Sequence, residues 1–85
     1  MPPKHRNSYE VMRDILNSIQ EPKIITRIVN NTNSGFTQLK KHLKVLEGLG
    51  YITLINHTDD KRTKIYYQIT ESGKTFLEGL NKVFS

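Results

Sequence analysis

The stretch KKHLKVLEGLGYI, from Lys40 to Ile52, joins a helix with two unlike faces directly to a strand. Its leucines recur at three-residue steps and so lie close together on one side, whereas its lysines fall on another side. Gly50 is expected to end the helix as a residue in the left-handed conformation. Tyr51 and Ile52 then open a segment of β-branched and aromatic residues, which is typical of a strand. Such a helix can pack on a domain by its apolar face and offer its basic face to a ligand.

The same helix extends back to about residue 35, so that it covers about 35–49. Its apolar residues are three or four positions apart, which predicts one shared buried face made of Phe36, Leu39, Leu43, Leu46 and Leu49. The preceding cluster, Asn30–Gly35, consists of residues that favour turns. Ser34 or Asn33 is the predicted N-cap of the helix.

Two more helices are predicted before this turn. The first begins at Ser8 and carries an apolar stripe of Tyr9, Met12, Ile15, Leu16 and Ile19. Pro22 ends it and suits the first turn of the next helix, where its missing N–H costs nothing. Isoleucines in that second segment would also suit a strand, but the spacing of Ile24, Ile25, Ile28 and Val29 favours a helix. Residues 1–7 lack apolar periodicity and are expected to form a flexible basic arm.

Downstream of Gly50, two segments predict a β-hairpin. Residues 51–56 and 64–69 are rich in β-branched and aromatic side chains, and the polar loop 57–63 separates them. Because this loop exceeds a two-residue turn, its tip is expected to project. A short extra strand near Glu21–Lys23 would complete the sheet. Thr70 is the predicted cap of a last helix, whose apolar stripe is Phe76, Leu77, Leu80, Val83 and Phe84.

This order of elements predicts an α+β fold of the winged helix-turn-helix type, in which a three-helix core carries a hairpin wing and a C-terminal helix. One domain, 8–85, follows the arm. The runs LKVLEGLGYI and YYQITESGKTFLEGL resemble the helix-to-strand junction and second wing strand of MarR- and PadR-type regulators, including small archaeal winged-helix proteins. The resemblance implies a DNA-binding transcription regulator. Some archaeal relatives dimerise through a C-terminal helix, but a chain ending at Ser85 is not expected to form a long coiled coil.

Composition agrees with a basic, DNA-binding protein. The 85 residues carry a net charge of +5, which suggests a polyanionic partner or an anionic membrane surface, although ordinary solubility also explains such a charge. The absence of cysteine excludes disulfides and cysteine-ligated metals. Apolar runs are too short to span a membrane, so a cytoplasmic, nucleoid-associated location with no membrane partner is expected.

The outer face of the third predicted helix holds the candidate DNA contacts. A major groove admits one helix, whose N-terminal residues usually reach base edges. We therefore assign base contact to Thr37, Gln38 and Lys41, and phosphate contact mainly to Lys40 and Lys44. An ordinary solvated face is the alternative, but this face carries no acid before Glu47.

Further basic residues extend this candidate interface. In the wing, Lys61, Arg62 and Lys64 are expected to contact the DNA backbone or the minor groove, although Asp59 and Asp60 oppose this. Ser34 would place the helix N-terminus near a phosphate. The weaker candidates are Lys4, Arg6, Lys23 and Arg27.

A homodimer is expected, because a single small module usually binds DNA as half of a two-fold pair. The predicted interface is the stripe of the last helix: Phe76, Leu77, Leu80, Val83 and Phe84. The alternative is that this stripe packs entirely on the first helix of its own chain.

No motif of catalysis, metal binding or cofactor binding is found, so the chain is not expected to be an enzyme. His5, His42 and His57 lack ligand spacing. Tyr51, Tyr66 and Tyr67 can stack on single-stranded bases, but such residues more often pack within a hairpin. The sequence thus predicts a duplex-binding transcription regulator. Two other roles stay open, an architectural chromatin protein and a winged helix that contacts other proteins.

Overall fold

A computed structural model describes residues 8–32, 34–59 and 61–83 of the chain. Its elements, in chain order, are α1 (Ser8–Ser18), α2 (Ile25–Thr32), α3 (Phe36–Gly48), β1 (Ile52–Asp59), β2 (Arg62–Ile69) and α4 (Glu71–Val83). The predicted order of helices and strands is confirmed. The basic arm 1–7, with Lys4, His5 and Arg6, lies outside the described residues, as do Asn33, Asp60 and Phe84. Within the described ranges, none of the helices is long and apolar enough to cross a membrane.

The hydrophobic core lies between the helices and the base of the hairpin. α4 packs against α1, and α1 packs against α2. The buried side chains come from every element: Ile15, Leu16, Ile19, Ile28, Leu39, Leu43, Leu46, Ile52, Ile69, Leu77 and Leu80. This core anchors α3 by one face and leaves its other face in solvent.

The predicted buried face of α3 is correct in the middle of the helix and wrong at both ends. Leu39, Leu43 and Leu46 are buried, but Phe36 is 50% exposed and Leu49 is 56% exposed. A three-residue step turns a helix by only about 300°, so the step from Leu46 to Leu49 rotates the last leucine away from the core. Phe36 is the first residue of α3 and does not belong to the buried cluster.

Gly50 ends α3 as predicted, with a φ of 81°. The amide of Tyr51 donates to the carbonyl oxygen of Leu46 at 2.9 Å, and the amide of Gly50 donates to that of Glu47 at 3.0 Å. These two bonds form a Schellman motif, which satisfies carbonyl groups that the helix end would leave open. The Leu-x-x-x-Gly-Tyr-Ile run is therefore a helix stop that aims the chain into β1.

The turn before α3 is shorter than predicted. Asn30, Asn31 and Thr32 belong to α2, and the hydroxyl of buried Thr32 donates to the carbonyl oxygen of Ile28 at 2.7 Å. The N-cap of α3 is Gly35 rather than Ser34, so the predicted side-chain cap is wrong.

α2 also begins later than the sequence predicts. Lys23 pairs with Tyr67 in an antiparallel bridge, through N–H···O bonds of 3.0 and 2.8 Å. Among the described residues, the predicted extra strand near Glu21–Lys23 is reduced to this single bridge at Lys23, and the sheet has two strands. Because Lys23 is held in extended backbone, Pro22 precedes the bridge instead of occupying the first helical turn, and α2 begins at Ile25.

The wing is a longer hairpin with a shorter connection than predicted. β1 and β2 pair without interruption from Ile52↔Ile69 to Asp59↔Arg62. Only two residues separate the strands, so the expected loop 57–63 is mostly paired strand. The polar residues at the tip pair through backbone hydrogen bonds, although their side chains add nothing to the core. Side-chain composition therefore does not predict that they belong to the strands.

Candidate nucleic-acid interface

All five predicted contact residues of α3 are exposed: Thr37, Gln38, Lys40, Lys41 and Lys44. At about 100° per residue, Thr37 and Lys41 lie nearly opposite the buried leucines. Lys40 and Lys44 lie to one side and line a groove between α3 and the wing. The structure therefore places these five side chains on one solvent-facing surface of α3.

The groove between α3 and the wing is small and carries mixed charge. Its volume is about 240 Å³, and its lining is Lys40, Leu43, Lys44, Glu47 and Tyr67. Burial, with a smaller contribution from the charge of Glu47, raises the pKa of Tyr67 above its ordinary value. Like an ordinary tyrosine, the phenol is protonated at neutral pH and can donate a hydrogen bond.

Phe36 adds an exposed aromatic ring to the surface of α3. The sequence predicts this residue on the buried face of the helix. The ammonium of Lys40 lies over the ring of Phe36, 5.5 Å from its centroid. That separation is within the range of a cation–π contact. The i, i+4 spacing of the two residues was visible in the sequence, but the exposure of the ring was not.

The three wing cations are exposed, but they do not all face the groove. Lys61 lies at the turn. Arg62 and Lys64 share the face of the hairpin opposite to the core-side residues Ile69 and Tyr67, because side chains alternate along a strand. Long basic side chains at the tip of the hairpin can still extend past its edge.

The weaker candidates lie elsewhere. Lys23 lines a polar cavity of about 570 Å³ together with Asp14, Asn17, Ser18 and Asn31, which belong to α1 and α2 rather than to α3. Arg27 is exposed on α2. Neither residue belongs to the α3–wing surface.

Two of the three hairpin-region tyrosines are occupied by packing. Tyr51 stacks on Phe76 with ring centroids 4.4 Å apart, and Tyr67 packs against the core. Tyr66 meets the ring of His57 edge-on at 6.2 Å.

Nδ1 of His42 lies 2.8 Å from the carbonyl oxygen of Gln38. Among the residues that the structure describes, no three His, Cys, Asp or Glu side chains are grouped to hold a metal ion.

The apolar stripe of α4 is divided between core and solvent. Leu77 and Leu80 are buried in the core of their own chain, where α4 packs on α1. Phe76 is half-buried against Tyr51. Val83 is 72% exposed. Intrachain packing, the alternative left open by the sequence, therefore accounts for the two leucines but not for Val83.

The chain is similar in fold to several solved structures, among them two proteins that bind DNA. Sso10a-2, a DNA-binding protein from Sulfolobus solfataricus, is 25% identical with a TM-score of 0.83, over 93% of this chain and 79% of that one. BpsR of Bordetella bronchiseptica, whose DNA binding is regulated by 6-hydroxynicotinic acid, is 17% identical with a TM-score of 0.73, over 96% and 61%.

MarR of Staphylococcus aureus, solved with salicylate and kanamycin, is 24% identical with a TM-score of 0.68. The alignment covers 94% of this chain but only 51% of that protein, so the present chain spans about half of its length. At these identities the likeness to BpsR and MarR concerns the fold alone. No curated protein matches the chain in sequence.

A family profile decides the assignment. The winged helix-turn-helix family matches residues 5–85, which is nearly the whole chain. The match includes α3, the hairpin and both motifs that the structure explains, the glycine stop after α3 and the threonine cap before α4. The chain belongs to the winged helix-turn-helix family.

Proposed function

We propose that this chain regulates transcription by binding duplex DNA, with α3 in the major groove and the wing on the backbone or in the minor groove. One observation carries the proposal. α3 is anchored by three buried leucines, and its opposite face exposes Thr37, Gln38, Lys40, Lys41 and Lys44. An acid-poor helical face of this width, next to a basic hairpin, has the shape and charge that a major groove accepts.

The residues have separate roles in this proposal. Thr37, Gln38 and Lys41 reach base edges, since residues near the start of a recognition helix are closest to the bases. Lys40 and Lys44 neutralise phosphates at the edge of the DNA major groove. Ser34 lies beside the start of α3. Lys61, Arg62 and Lys64 contact the backbone or the minor groove from the wing. The chain acts by occupying DNA and not by catalysis, in a cytoplasmic, nucleoid-associated setting.

A homodimer is part of the proposal, because one module of this size covers little DNA. Since Leu77 and Leu80 are buried in the core of their own chain, the contact would use the rest of the predicted stripe: Phe84, half-buried Phe76 and exposed Val83. The exposed ring of Tyr9 near the start of α1 adds apolar area that a partner chain can cover.

An architectural role is the second candidate. Three of the five candidate contacts on the exposed face of α3 are lysines, whose charge attracts phosphates of any sequence. The likeness to Sso10a-2, a DNA-binding protein from Sulfolobus solfataricus, supports DNA binding in either role and an archaeal origin. A protein-binding winged helix is the remaining alternative.

DNA binding and its specificity can be measured together by fluorescence anisotropy, with a promoter fragment from the chain's own genome and a scrambled duplex. For about six neutralised phosphates, log affinity is expected to fall with log salt at a slope of about −5. A preference of about 100-fold for one duplex would identify a sequence-specific regulator. A steep slope without preference for any fragment of a tiled genome would identify the architectural role. Absence of binding at low salt would contradict the proposal in favour of a protein-binding winged helix.

The dimer is tested by sedimentation equilibrium of the full chain and of the variant Val83→Asp. Placing a charge in an apolar contact is expected to raise the dimer dissociation constant by at least about tenfold. Asn81→Asp, which adds the same charge at an exposed polar position of α4, is the matched control and should dimerise like the parent. A parent chain that is monomeric at high concentration would reject the dimer without affecting DNA binding by one module.

A further inference from the structure

The ring of Phe36 is only partly buried and lies where α3 can contact DNA. It is the first residue of α3, and half of its surface is exposed. Thr37 and Gln38, the next two residues, are also exposed. In the proposed binding mode, this first turn of α3 is the part that approaches the base edges most closely.

Thymine is the base that an apolar ring can recognise there. In the major groove, thymine presents a 5-methyl group, whereas the other three bases present hydrogen-bond donors and acceptors without a methyl group. Phe36 offers no hydrogen bond, so it gains little from guanine, adenine or cytosine. Burial of a methyl group against the exposed part of the ring removes apolar surface from water on both sides.

Lys40 fixes the orientation of this contact. Its ammonium lies 5.5 Å from the ring centroid, on a face of the ring, one helical turn further along α3. With one face occupied by the ammonium, the ring has its edge and remaining surface available for a base. The ammonium is then next to the DNA backbone that flanks the same base, where it can pair with a phosphate.

We propose that Phe36 is a specificity-determining residue that reads one thymine in each half-site through its 5-methyl group, with Lys40 bound over the ring and paired to the adjacent phosphate. The inference rests on the proposed function and names the chemistry that α3 recognises. It adds an apolar readout to the polar contacts of Thr37, Gln38 and Lys41.

The experiment exchanges thymine for deoxyuridine, which differs only by the missing methyl group. A preferred duplex is selected from a randomised library with the full chain, and each thymine of the half-site is then replaced in turn. At one position, the parent protein is expected to bind the deoxyuridine duplex about fourfold more weakly, the effect of one buried methyl group. Phe36→Ala should bind both duplexes equally. Phe36→Leu, which keeps an apolar side chain, should retain most of the difference.

Val45→Ala is the matched control. Val45 is also 50% exposed on α3, but it lies nine residues, or about 13 Å, further along the helix than Phe36, away from the first turn that approaches the bases. This variant should keep the full difference between thymine and deoxyuridine. Circular dichroism and thermal melting confirm that each variant is folded.

The outcomes separate the inference from the proposed function. Steep salt-dependent binding with no thymine position sensitive to the methyl group, or equal sensitivity in Phe36→Ala and the parent, would overturn the role of Phe36 and leave DNA binding intact. Selection that yields no preferred sequence would overturn it as well. Failure of the parent to bind any duplex at low salt would reject the proposed function itself.

Discussion

The variant Lys41→Glu/Lys44→Glu is expected to lose at least about 100-fold in affinity for duplex DNA at constant salt. Both lysines are exposed on the face of α3 that points away from the core. The substitutions remove two favourable contacts with a polyanion and replace them with like charges, which cost several kcal/mol when placed against it. Anisotropy titration of parent and variant on the same duplex measures the loss.

Stability should not change with this loss, because neither lysine contributes to the core. The matched control is Lys74→Glu/Lys82→Glu, which makes the same change in net charge on exposed positions of α4. That control should lose less than about tenfold, through long-range charge alone. Equal losses in the two double variants would mean that net charge, and not the surface of α3, determines binding.

Gly73→Ala is expected to destabilise the fold by about 3 kcal/mol and to lower the melting temperature by more than about 10 °C. Gly73 is buried in the first turn of α4, beside the backbone of Tyr51. A Cβ built there would overlap the carbonyl oxygen of Tyr51 and approach Cγ1 of Ile69 to 2.7 Å. Both neighbours are held, since the Tyr51 carbonyl accepts a bond from the amide of Thr70 at 3.0 Å and Ile69 is buried. Thermal melting followed by circular dichroism measures the effect.

The same helix provides the control. Gly79 has open space around its would-be Cβ, so Gly79→Ala should raise stability by about 0.5–1 kcal/mol through the better helix propensity of alanine. The two variants differ only in position, and their effects should have opposite signs. A Gly73→Ala protein as stable as the parent would show that α4 can move away from Tyr51 at little cost.

The close approach of α4 to the backbone of Tyr51 explains the threonine and the glycine in the run Tyr67-Gln-Ile-Thr-Glu-Ser-Gly73. The hydroxyl of Thr70 accepts a bond from the amide of Gly73 at 3.0 Å and donates one to the carbonyl oxygen of Gly50 at 2.6 Å. One side chain thus caps α4 and ties it to the residue that ends α3. The glycine is required because α4 passes directly over the backbone of Tyr51.

Local chemistry in the sequence determined the elements of this protein and their order. The leucine spacing of α3, the glycine that ends it and the threonine that caps α4 act within a few residues, so their effects can be worked out without a tertiary structure. The same holds for the placement of the lysines and the other polar residues together on one side of α3. The winged helix-turn-helix fold and the outer face of its third helix were predictable for this reason.

Tertiary structure decided which apolar residues are covered and where the elements begin. Phe36 and Leu49 continue the leucine pattern, but other elements cover only the middle of α3. An isolated bridge to Tyr67 holds Lys23 against the hairpin, and α2 begins only at Ile25. Leu77 and Leu80 look like an interface in sequence, yet α1 of the same chain buries them. Periodicity reports which side chains share a face, whereas burial depends on what lies opposite that face, and that partner comes from distant parts of the chain.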